Sequence, residues 1–166
     1  MKTWKQEIAE ALTPLEGVNA VTATLVFNIT VVSGDPFGPT AGSTGTVRIF
    51  RTVKVKGVDS VDKRLIDGKN YTSSDFITEL AYTSYAKLRK TLAGDPPIVN
   101  NGVVKSLDDM RPMGENYGIA IGEDFLTVGS DQWVICNVLA LGLMDDDKSG
   151  NAEPAKLRLV LRKGRL

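Results

Sequence analysis

The residues whose types and spacing come closest to a ligand site lie near the carboxyl end of the chain. Four oxygen-bearing side chains there match positions 1, 3, 5 and 9 of a calcium-binding EF-hand loop: Asp145, Asp147, Ser149 and Glu153. The twelfth position, where that loop has a bidentate glutamate, is Lys156. The residues before Asp145 also have the pattern of a strand. We therefore interpret the segment as a polar hairpin loop, with weak calcium binding as the alternative.

Catalytic chemistry has little to build on in this sequence. The chain contains no histidine and a single cysteine, Cys136, which lies within an apolar run and is expected to be a buried thiol. One cysteine also excludes an internal disulfide. The sequence contains no Gly-Lys-Ser/Thr phosphate loop and no dinucleotide-binding Gly-x-Gly-x-x-Gly motif on a strand-helix unit. We expect a protein that is not an enzyme and needs no metal or cofactor.

Basic residues alternate along one segment in the first third of the chain. Arg48, Lys54 and Lys56 would share one face of a strand with Thr52 and the aromatic Phe50. Nucleic-acid-binding surfaces often combine such cations with exposed aromatic rings. The whole chain has 20 basic and 20 acidic residues, so its zero net charge provides no overall attraction to nucleic acid. We interpret the face as solvated, with a patch that faces phosphates or a lumen as the alternative.

The start of the chain is predicted to be a short amphipathic helix over residues 3–13. Trp4, Ile8 and Leu12 fall on one face at helical spacing. The helix is expected either to pack on the protein's own sheet or to bind a partner. We see no apolar stretch typical of a signal peptide, and no segment is apolar enough over about 18 residues to cross a membrane.

Alternating apolar residues predict two long strands in the first half of the chain. Residues 18–33 have the period-two pattern of a half-buried strand, and residues 46–58 form a second one. The Gly- and Pro-rich residues between them, 33–46, are expected to form a loop. Phe37 in this loop either anchors into a neighbouring molecule or packs against its own domain.

The patterns further along the chain are more mixed. The pair Asp67-Gly68 indicates a tight hairpin with a type I′ turn. Residues 72–92 fit a helix or, as we slightly favour, a strand that runs into a helix or irregular structure. Residues 98–117 are expected to be a loop with one short strand. Residues 133–141, apolar on both faces, predict a central strand, and residues 157–162 a half-exposed final strand.

Together these patterns predict a mainly β (α+β) fold. We expect a small antiparallel β-barrel or sandwich with a short N-terminal helix and long loops. No internal repeat or linker divides the chain, so residues 1–166 are interpreted as a single β-rich domain. The loops predicted at residues 33–46, 93–117 and 144–156 are long for a compact domain, and such loops are usually functional or disordered.

Three groups of residues, spanning about residues 25–163, follow one another in a characteristic order. They are a Gly/Pro loop, a central hairpin and a set of closing strands: Ser33-Gly34-Asp35-Pro36-Phe37-Gly38-Pro39-Thr40; Leu65-Ile66-Asp67-Gly68-Lys69 with Ser74-Asp75-Phe76; and Gly122-Glu123-Asp124-Phe125-Leu126-Thr127-Val128 with Gln132-Trp133-Val134-Ile135 and Leu157-Arg158-Leu159-Val160-Leu161-Arg162. In these motifs the chain resembles the small neck proteins of long-tailed bacteriophages, which include head-closure, stopper and adaptor-like proteins.

The resemblance implies a ring subunit of six or twelve copies between the portal and the tail. Its partners would be further copies of itself, the portal or adaptor, and tail-tube or terminator proteins, with non-specific DNA in the channel and no membrane. Such a protein is assembled in the host cytoplasm and resides in the virion. We expect subunit contacts from four apolar residues: Trp4, Ile8, Leu12 and Phe37. We expect lumen or phosphate contacts from three basic ones: Arg48, Lys54 and Lys56.

Other roles share these sequence features. A tail terminator or a capsid decoration protein would look almost the same. A small β-barrel that binds a ligand or nucleic acid is an alternative of another class. The zero net charge and the low aromatic content, 7%, favour a structural role over this binding module.

Overall fold

The longest feature of the fold is a two-stranded antiparallel ribbon. A computed structural model describes residues 20–34, 43–69, 71–90, 94–142, 144–145 and 152–165. Strand β1 (Ala20–Val32) pairs with β2 (Thr44–Lys56) over thirteen residues each, in a register that runs from Ala20 opposite Lys56 to Val32 opposite Thr44. Alternation places most apolar residues of both strands on one buried face, as their period-two pattern predicts, whereas Val26 and Phe50 lie on the other face.

The ribbon forms one side of a seven-stranded sheet. Its other five strands are β3 (Asp59–Ser60), β4 (Phe76–Ala81), β7 (Phe125–Val128), β8 (Asp131–Leu141) and β11 (Lys156–Lys163). Four further strands form two separate two-stranded sheets: β5 (Ile98–Asn100) with β6 (Val103–Lys105), and β9 (Met144–Asp145) with β10 (Ala152–Glu153). The sheet has the order β2-β1-β7-β8-β11-β4-β3, and all of its pairs are antiparallel. The predicted mainly β, antiparallel fold is therefore confirmed.

The sheet is open but strongly curled among the described residues. Its edge strands are β2 and β3, so hydrogen bonds do not close it into a barrel. The Thr78 hydroxyl in β4 nevertheless donates to the Lys56 carbonyl at the end of β2. A β-bulge between Val160 and Leu161, where β11 pairs with β8, adds to the bending. The curvature encloses the main apolar core on the concave side.

Helical structure is short and lies outside the sheet. Helix α1 (Tyr82–Leu88) begins directly after β4, which confirms a strand that runs into a helix within residues 72–92. Helix α2 (Leu107–Met110) begins with a capping box, in which Ser106 and Asp109 bond each other's backbone N–H groups. Two 3-10 turns complete the structure, at Lys63–Leu65 and Asn116–Gly118.

The core occupies one face of the sheet, and a smaller cluster covers part of the other. β8 is the fourth of the seven strands, which confirms its predicted central position. Trp133, Ile135 and Val138 of β8 are buried in the main core. On the opposite face, Leu139 and Ile77 pack against a second cluster formed by Val61, Tyr71 and Val160. This second cover is thin, so the outward side chains of β8 remain only half-buried.

The predicted hairpin at Asp67-Gly68 is wrong. A type I′ turn requires positive φ at both central residues, and only Gly68 has it, with φ of 74°. Instead, Asp62 caps the 3-10 turn by accepting from the Arg64 backbone N–H, and the Asp67 carboxylate accepts from the N–H groups of Lys69 and Tyr71. These local side-chain bonds satisfy the backbone without a strand pair.

A different hairpin occupies part of the segment predicted as loop. β5 and β6 pair around Asn101-Gly102, whose φ values of 51° and 74° fit a type I′ turn. Residues 98–117 therefore contain two short strands and helix α2 rather than one short strand. Within residues 144–156, β9 and β10 also pair, with Ala152 opposite Asp145.

Several predicted features lie outside the described residues. They are the helix over residues 3–13 with Trp4, Ile8 and Leu12, the loop residue Phe37, and the loop residues Asp147 and Ser149.

The β5–β6 hairpin is fixed to the end of the ribbon through its turn. The Asn101 N–H donates to the Val32 carbonyl at 3.0 Å, and the Asn100 side chain accepts from the Val32 N–H at 2.9 Å. Gly34 lies directly against this turn: a Cβ atom there would be 2.0 Å from the Gly102 nitrogen and 2.3 Å from the Asn101 carbonyl carbon. The close contact between the two backbones requires glycine at position 34.

We expect Gly34→Ala to displace the hairpin, because its methyl group would overlap backbone atoms that have no free rotamer. The free energy of unfolding should fall by about 1–3 kcal/mol, measured by denaturant titration. Exchange of the Asn101 amide hydrogen should become faster. Gly45→Ala is the matched control, because its Cβ would lie 3.9 Å from its nearest neighbour, an ordinary contact. Equal stability of the two variants would contradict this account.

Candidate functional site

The outward face of the ribbon brings together the basic residues singled out in the sequence. Arg48, Phe50, Thr52, Lys54 and Lys56 alternate along β2 and are all exposed, with Phe50 54% exposed. β1 contributes four polar residues to the same face, Thr22, Thr24, Asn28 and Thr30. We call these nine residues the outer ribbon face. The strand period alone placed its members correctly.

Cross-strand hydrogen bonds hold two of the three cations against the ribbon. Arg48 lies directly opposite Asn28 and donates through Nε to Asn28 Oδ1 at 3.1 Å. Lys54 lies directly opposite Thr22 and donates through Nζ to its hydroxyl at 2.5 Å. Both partners are neutral, so they orient the long side chains but leave their positive charge uncompensated.

No acidic residue lies on either strand of the ribbon. β1 and β2 contain no Asp or Glu, while β2 has four basic residues. The fourth, Arg51, is on the buried face, where both of its terminal nitrogens bond the Asp95 carboxylate at 2.6 Å. Within the described part of the chain, no carboxylate oxygen lies within 4.0 Å of the charged nitrogens of Arg48, Lys54 or Lys56.

Cations elsewhere on the sheet are paired. Glu79 on β4 receives hydrogen bonds from Lys156 at 2.9 Å and from Arg158 at 3.0 and 3.1 Å. Burial alone would raise the pKa of Glu79, but the bonds and charges of its two basic partners outweigh it and lower the pKa below its usual value. In a protein of zero net charge, this pairing leaves the outer ribbon face as a local region of positive potential.

Phe50 adds an aromatic surface between the cations. It lies opposite Val26 and shares its face, and Val26 is only 1% exposed while Phe50 is 54% exposed. Alternate residues on a strand are about 6.8 Å apart, so the cations at positions 48 and 54 are separated by roughly 20 Å along β2. A flat aromatic ring between exposed cations suits base stacking and phosphate contacts and provides no group for bond-breaking chemistry.

The remaining predicted site residues do not form a site in the described structure. Asp145 lies in β9 and Glu153 in β10, and their loop lies outside the described residues. In the described part of the chain, no three acidic or cysteine side chains are grouped so that they could bind a metal ion. Cys136 is half-buried on β8, and burial raises the pKa of its thiol. None of the helices described is both long and apolar enough to cross a membrane.

Sequence reasoning missed two features. The first is the buried Arg89, which is 2% exposed and whose guanidinium lies 6.0 Å from the ring centre of Phe27 and 5.9 Å from that of Tyr85. Tyr85 is itself buried, and this burial raises the pKa of its hydroxyl. The second feature is the exposed β5–β6 hairpin, which the Asn101-Gly102 pair at its turn could have predicted from the sequence. Nothing local in the sequence signals the burial of Arg89.

Comparison with known proteins returns no match: neither a protein-family model, nor a curated protein, nor a solved structure matches this chain. The likeness to phage neck proteins stays an expectation from the sequence motifs. Function is therefore inferred from the charge distribution and geometry described above.

We expect Glu79→Gln to lower the free energy of unfolding at neutral pH by about 1–2 kcal/mol, because three charge-assisted hydrogen bonds from Lys156 and Arg158 lose their anion. The lowered pKa of Glu79 means that its contribution is present above the unfolded pKa, near 4.5, and is lost as the pH falls through the folded pKa. The difference between variant and wild type should therefore shrink below about pH 4.5. Denaturant titrations at several pH values measure it.

Asp131→Asn is the matched control for this prediction. Asp131 and its partner Lys163 are 58% and 61% exposed, so their ion pair is solvated. Its removal should change stability little at any pH. A pH-independent loss for Glu79→Gln, or an equal loss for both variants, would show that the lowered pKa does not contribute to folding.

Proposed function

We propose that this chain is a structural neck protein of a tailed bacteriophage, a ring subunit that joins head to tail and lines the DNA passage. The proposal makes the protein a non-enzymatic part of the virion, assembled in the host cytoplasm. The observation that carries it is the outer ribbon face, with three exposed cations and no acidic residue on either strand in a chain of zero net charge. The sequence resemblance supplies the setting.

The weak attraction of such a face for DNA suits a channel through which DNA must pass. Each phosphate contact contributes a salt-dependent, sequence-independent attraction, and binding that depends on such contacts lets a protein slide along DNA. A single subunit provides only three cations, so it binds weakly. A ring repeats the same face around its axis, so the duplex is contacted on all sides without being held at one place. Neutral polar residues between the cations, such as Thr52, avoid repulsion from the phosphates.

The exposed apolar residues of the β5–β6 hairpin suit contacts between subunits. Closed rings use heterologous contacts, in which two different patches of the same chain meet. Three of the eight exposed large apolar residues in the described structure, Val99, Val103 and Val104, lie on the β5–β6 hairpin. The zero net charge also removes long-range repulsion between copies. We infer a ring of six or twelve copies, with the portal or adaptor and tail proteins as neighbours.

A nucleic-acid-binding module is the second candidate, and the exposure of Phe50 favours it. A ring subunit needs no aromatic stacking, whereas a binder of single strands gains about 1–3 kcal/mol for each stacked base. The two candidates differ in their preference for strands. A channel lining contacts duplex phosphates and tolerates Phe50→Ala, while a single-strand binder loses affinity by about fivefold or more on that substitution.

We expect the triple variant Arg48→Gln, Lys54→Gln, Lys56→Gln to bind duplex DNA more weakly and with less dependence on salt. Each lost phosphate contact should make the slope of log affinity against log salt shallower by about 0.9, so the slope should change by roughly 2–3. Fluorescence anisotropy with a labelled duplex at several salt concentrations measures this.

The control variant removes the same number of positive charges from another surface. Lys63, Arg64 and Lys69 are all exposed and lie outside the ribbon. Their replacement by Gln should leave the salt slope near that of the wild-type chain. An equal effect of both triple variants would mean that only total charge matters, and the outer ribbon face would lose its assigned role.

Assembly is tested separately by mass. The chain, alone or mixed with candidate portal and tail proteins, should form a species of six or twelve copies of 17.9 kDa each in mass photometry. A strict monomer that joins none of these proteins would contradict the neck role.

A further inference from the structure

Arg89, directly after helix α1, is a buried cation whose charge is only partly compensated. It is 2% exposed, and its Nη2 donates to the Arg111 carbonyl. Among the described residues, the one carboxylate oxygen within 4.0 Å of its charged nitrogens is Asp108 Oδ1, at 3.4 Å, on a side chain that is 56% exposed. Nε and Nη1 have no hydrogen-bond partner in the described part of the chain. A buried guanidinium with two unused donors is unfavourable unless an acceptor bonds them.

The surrounding backbone holds this guanidinium in one position. It lies against Gly118, where a Cβ atom would be 2.5 Å from Nη1 and 2.6 Å from Cζ. The two residues before this glycine, Asn116 and Tyr117, have positive φ values of 46° and 56°. The Tyr85 hydroxyl donates to the Tyr117 carbonyl and so ties this turn to helix α1. Strained backbone of this kind persists only where the surroundings impose it, and it is concentrated at functional sites.

A cavity of about 550 Å³ borders the guanidinium. Arg89 and Asp108, whose side chains meet, both line it. Two further cations, Lys87 and Lys90, line the same cavity, and Glu153 is its second carboxylate. Cations therefore outnumber carboxylates by three to two among the described lining residues. The volume is within the usual range of small-molecule sites.

The two lysines leave their charge available to a ligand. Both Lys87 and Lys90 are exposed, and no carboxylate oxygen of the described residues lies within 4.0 Å of either ammonium nitrogen. Guanidinium and ammonium groups form their strongest hydrogen bonds with phosphate and carboxylate oxygens. Three cations around one cavity suit the double charge and the several acceptor oxygens of a phosphate better than the single charge of a carboxylate.

We propose that this cavity binds a phosphate group, either as the free ion or as part of a small phosphate ester. Arg89 donates its unused N–H groups to phosphate oxygens, and Lys87 and Lys90 neutralise the remaining charge. Tyr82 and Met113, which also line the cavity, contact the organic part of an ester. The site shares no residue with the outer ribbon face, so it is independent of the proposed neck role.

Isothermal titration calorimetry with inorganic phosphate tests the site. We expect one-site binding to the whole chain at low ionic strength. The double variant Lys87→Gln, Lys90→Gln leaves Arg89 in place and should bind about tenfold more weakly or worse, because two charge-assisted hydrogen bonds are lost. The control variant Lys63→Gln, Lys69→Gln removes the same number of positive charges from exposed positions elsewhere and should keep the wild-type affinity.

Three calorimetric results would overturn the proposal. They are no binding heat for the wild-type chain at millimolar phosphate, equal weakening of both double variants, and tighter binding of acetate than of phosphate. The last result would assign the cavity to carboxylates.

Nuclear magnetic resonance tests the buried guanidinium without a substitution that could unfold the chain. The Nε–H signal of Arg89, assigned through its backbone resonances, should shift on titration with phosphate, since Nε gains an acceptor. A signal that stays unchanged at saturating phosphate would show that the ion binds the lysines alone and would overturn the role of Arg89.

A last variant tests whether the chain fills the cavity itself. Asp146 and Asp147 precede Glu153 in the sequence and lie outside the described residues. We expect Asp146→Asn, Asp147→Asn to bind phosphate with an affinity close to that of the wild-type chain. Binding that appears only in this variant, or is about tenfold tighter in it, would show that these carboxylates occupy the cavity and would overturn the proposal.

Discussion

A buried ion pair completes the hydrogen bonding of β1, and the arrangement of the sheet depends on it. β7 pairs only with Thr24 to Val26 of β1, so the backbone of Asn28 lies beyond the end of that ladder. Asp124, which is 0% exposed, accepts from the Asn28 N–H at 3.0 Å. Arg111 bonds Asp124 at 2.5 Å and donates to the Asn28 carbonyl. The pair replaces a missing strand and satisfies both backbone groups, which would otherwise be buried without partners.

The same junction positions the surface to which we assign DNA contact. The Asn28 side chain donates to the Glu123 carbonyl at 2.7 Å and accepts from Arg48 Nε at 3.1 Å. One residue thus connects the buried ion pair to a cation on the outer ribbon face. Because Asn28 is neutral, it fixes the direction of the guanidinium and leaves its charge available. The ribbon's charge is therefore displayed by a rigid strand and not by a loop.

Turn signals in the sequence were reliable only where the flanking residues could pair. Both Asp67-Gly68 and Asn101-Gly102 match the type I′ pattern, yet only the second forms a hairpin. Around Asp67, aspartate side chains bond nearby backbone N–H groups and stabilise an irregular turn. Around Asn101, valines flank the turn, and the Asn100 side chain ties it to the end of β1. Local side-chain hydrogen bonds compete with strand pairing at such a turn. The flanking residues and their tertiary contacts decide which of the two forms, so the turn dipeptide alone does not predict a hairpin.

Sequence periodicity predicted the two long strands of the ribbon and the two faces of each. Alternation follows from the local geometry of an extended backbone, so the cations at positions 48, 54 and 56 could be assigned to one face in advance. The order of the strands, in which β11 lies between β8 and β4, is set by tertiary contacts. Tertiary contacts also bury Arg89 and leave Val103 and Val104 exposed. These outcomes depend on contacts between residues far apart in the chain, and the periodicity of a single segment carries no information about its neighbours in space.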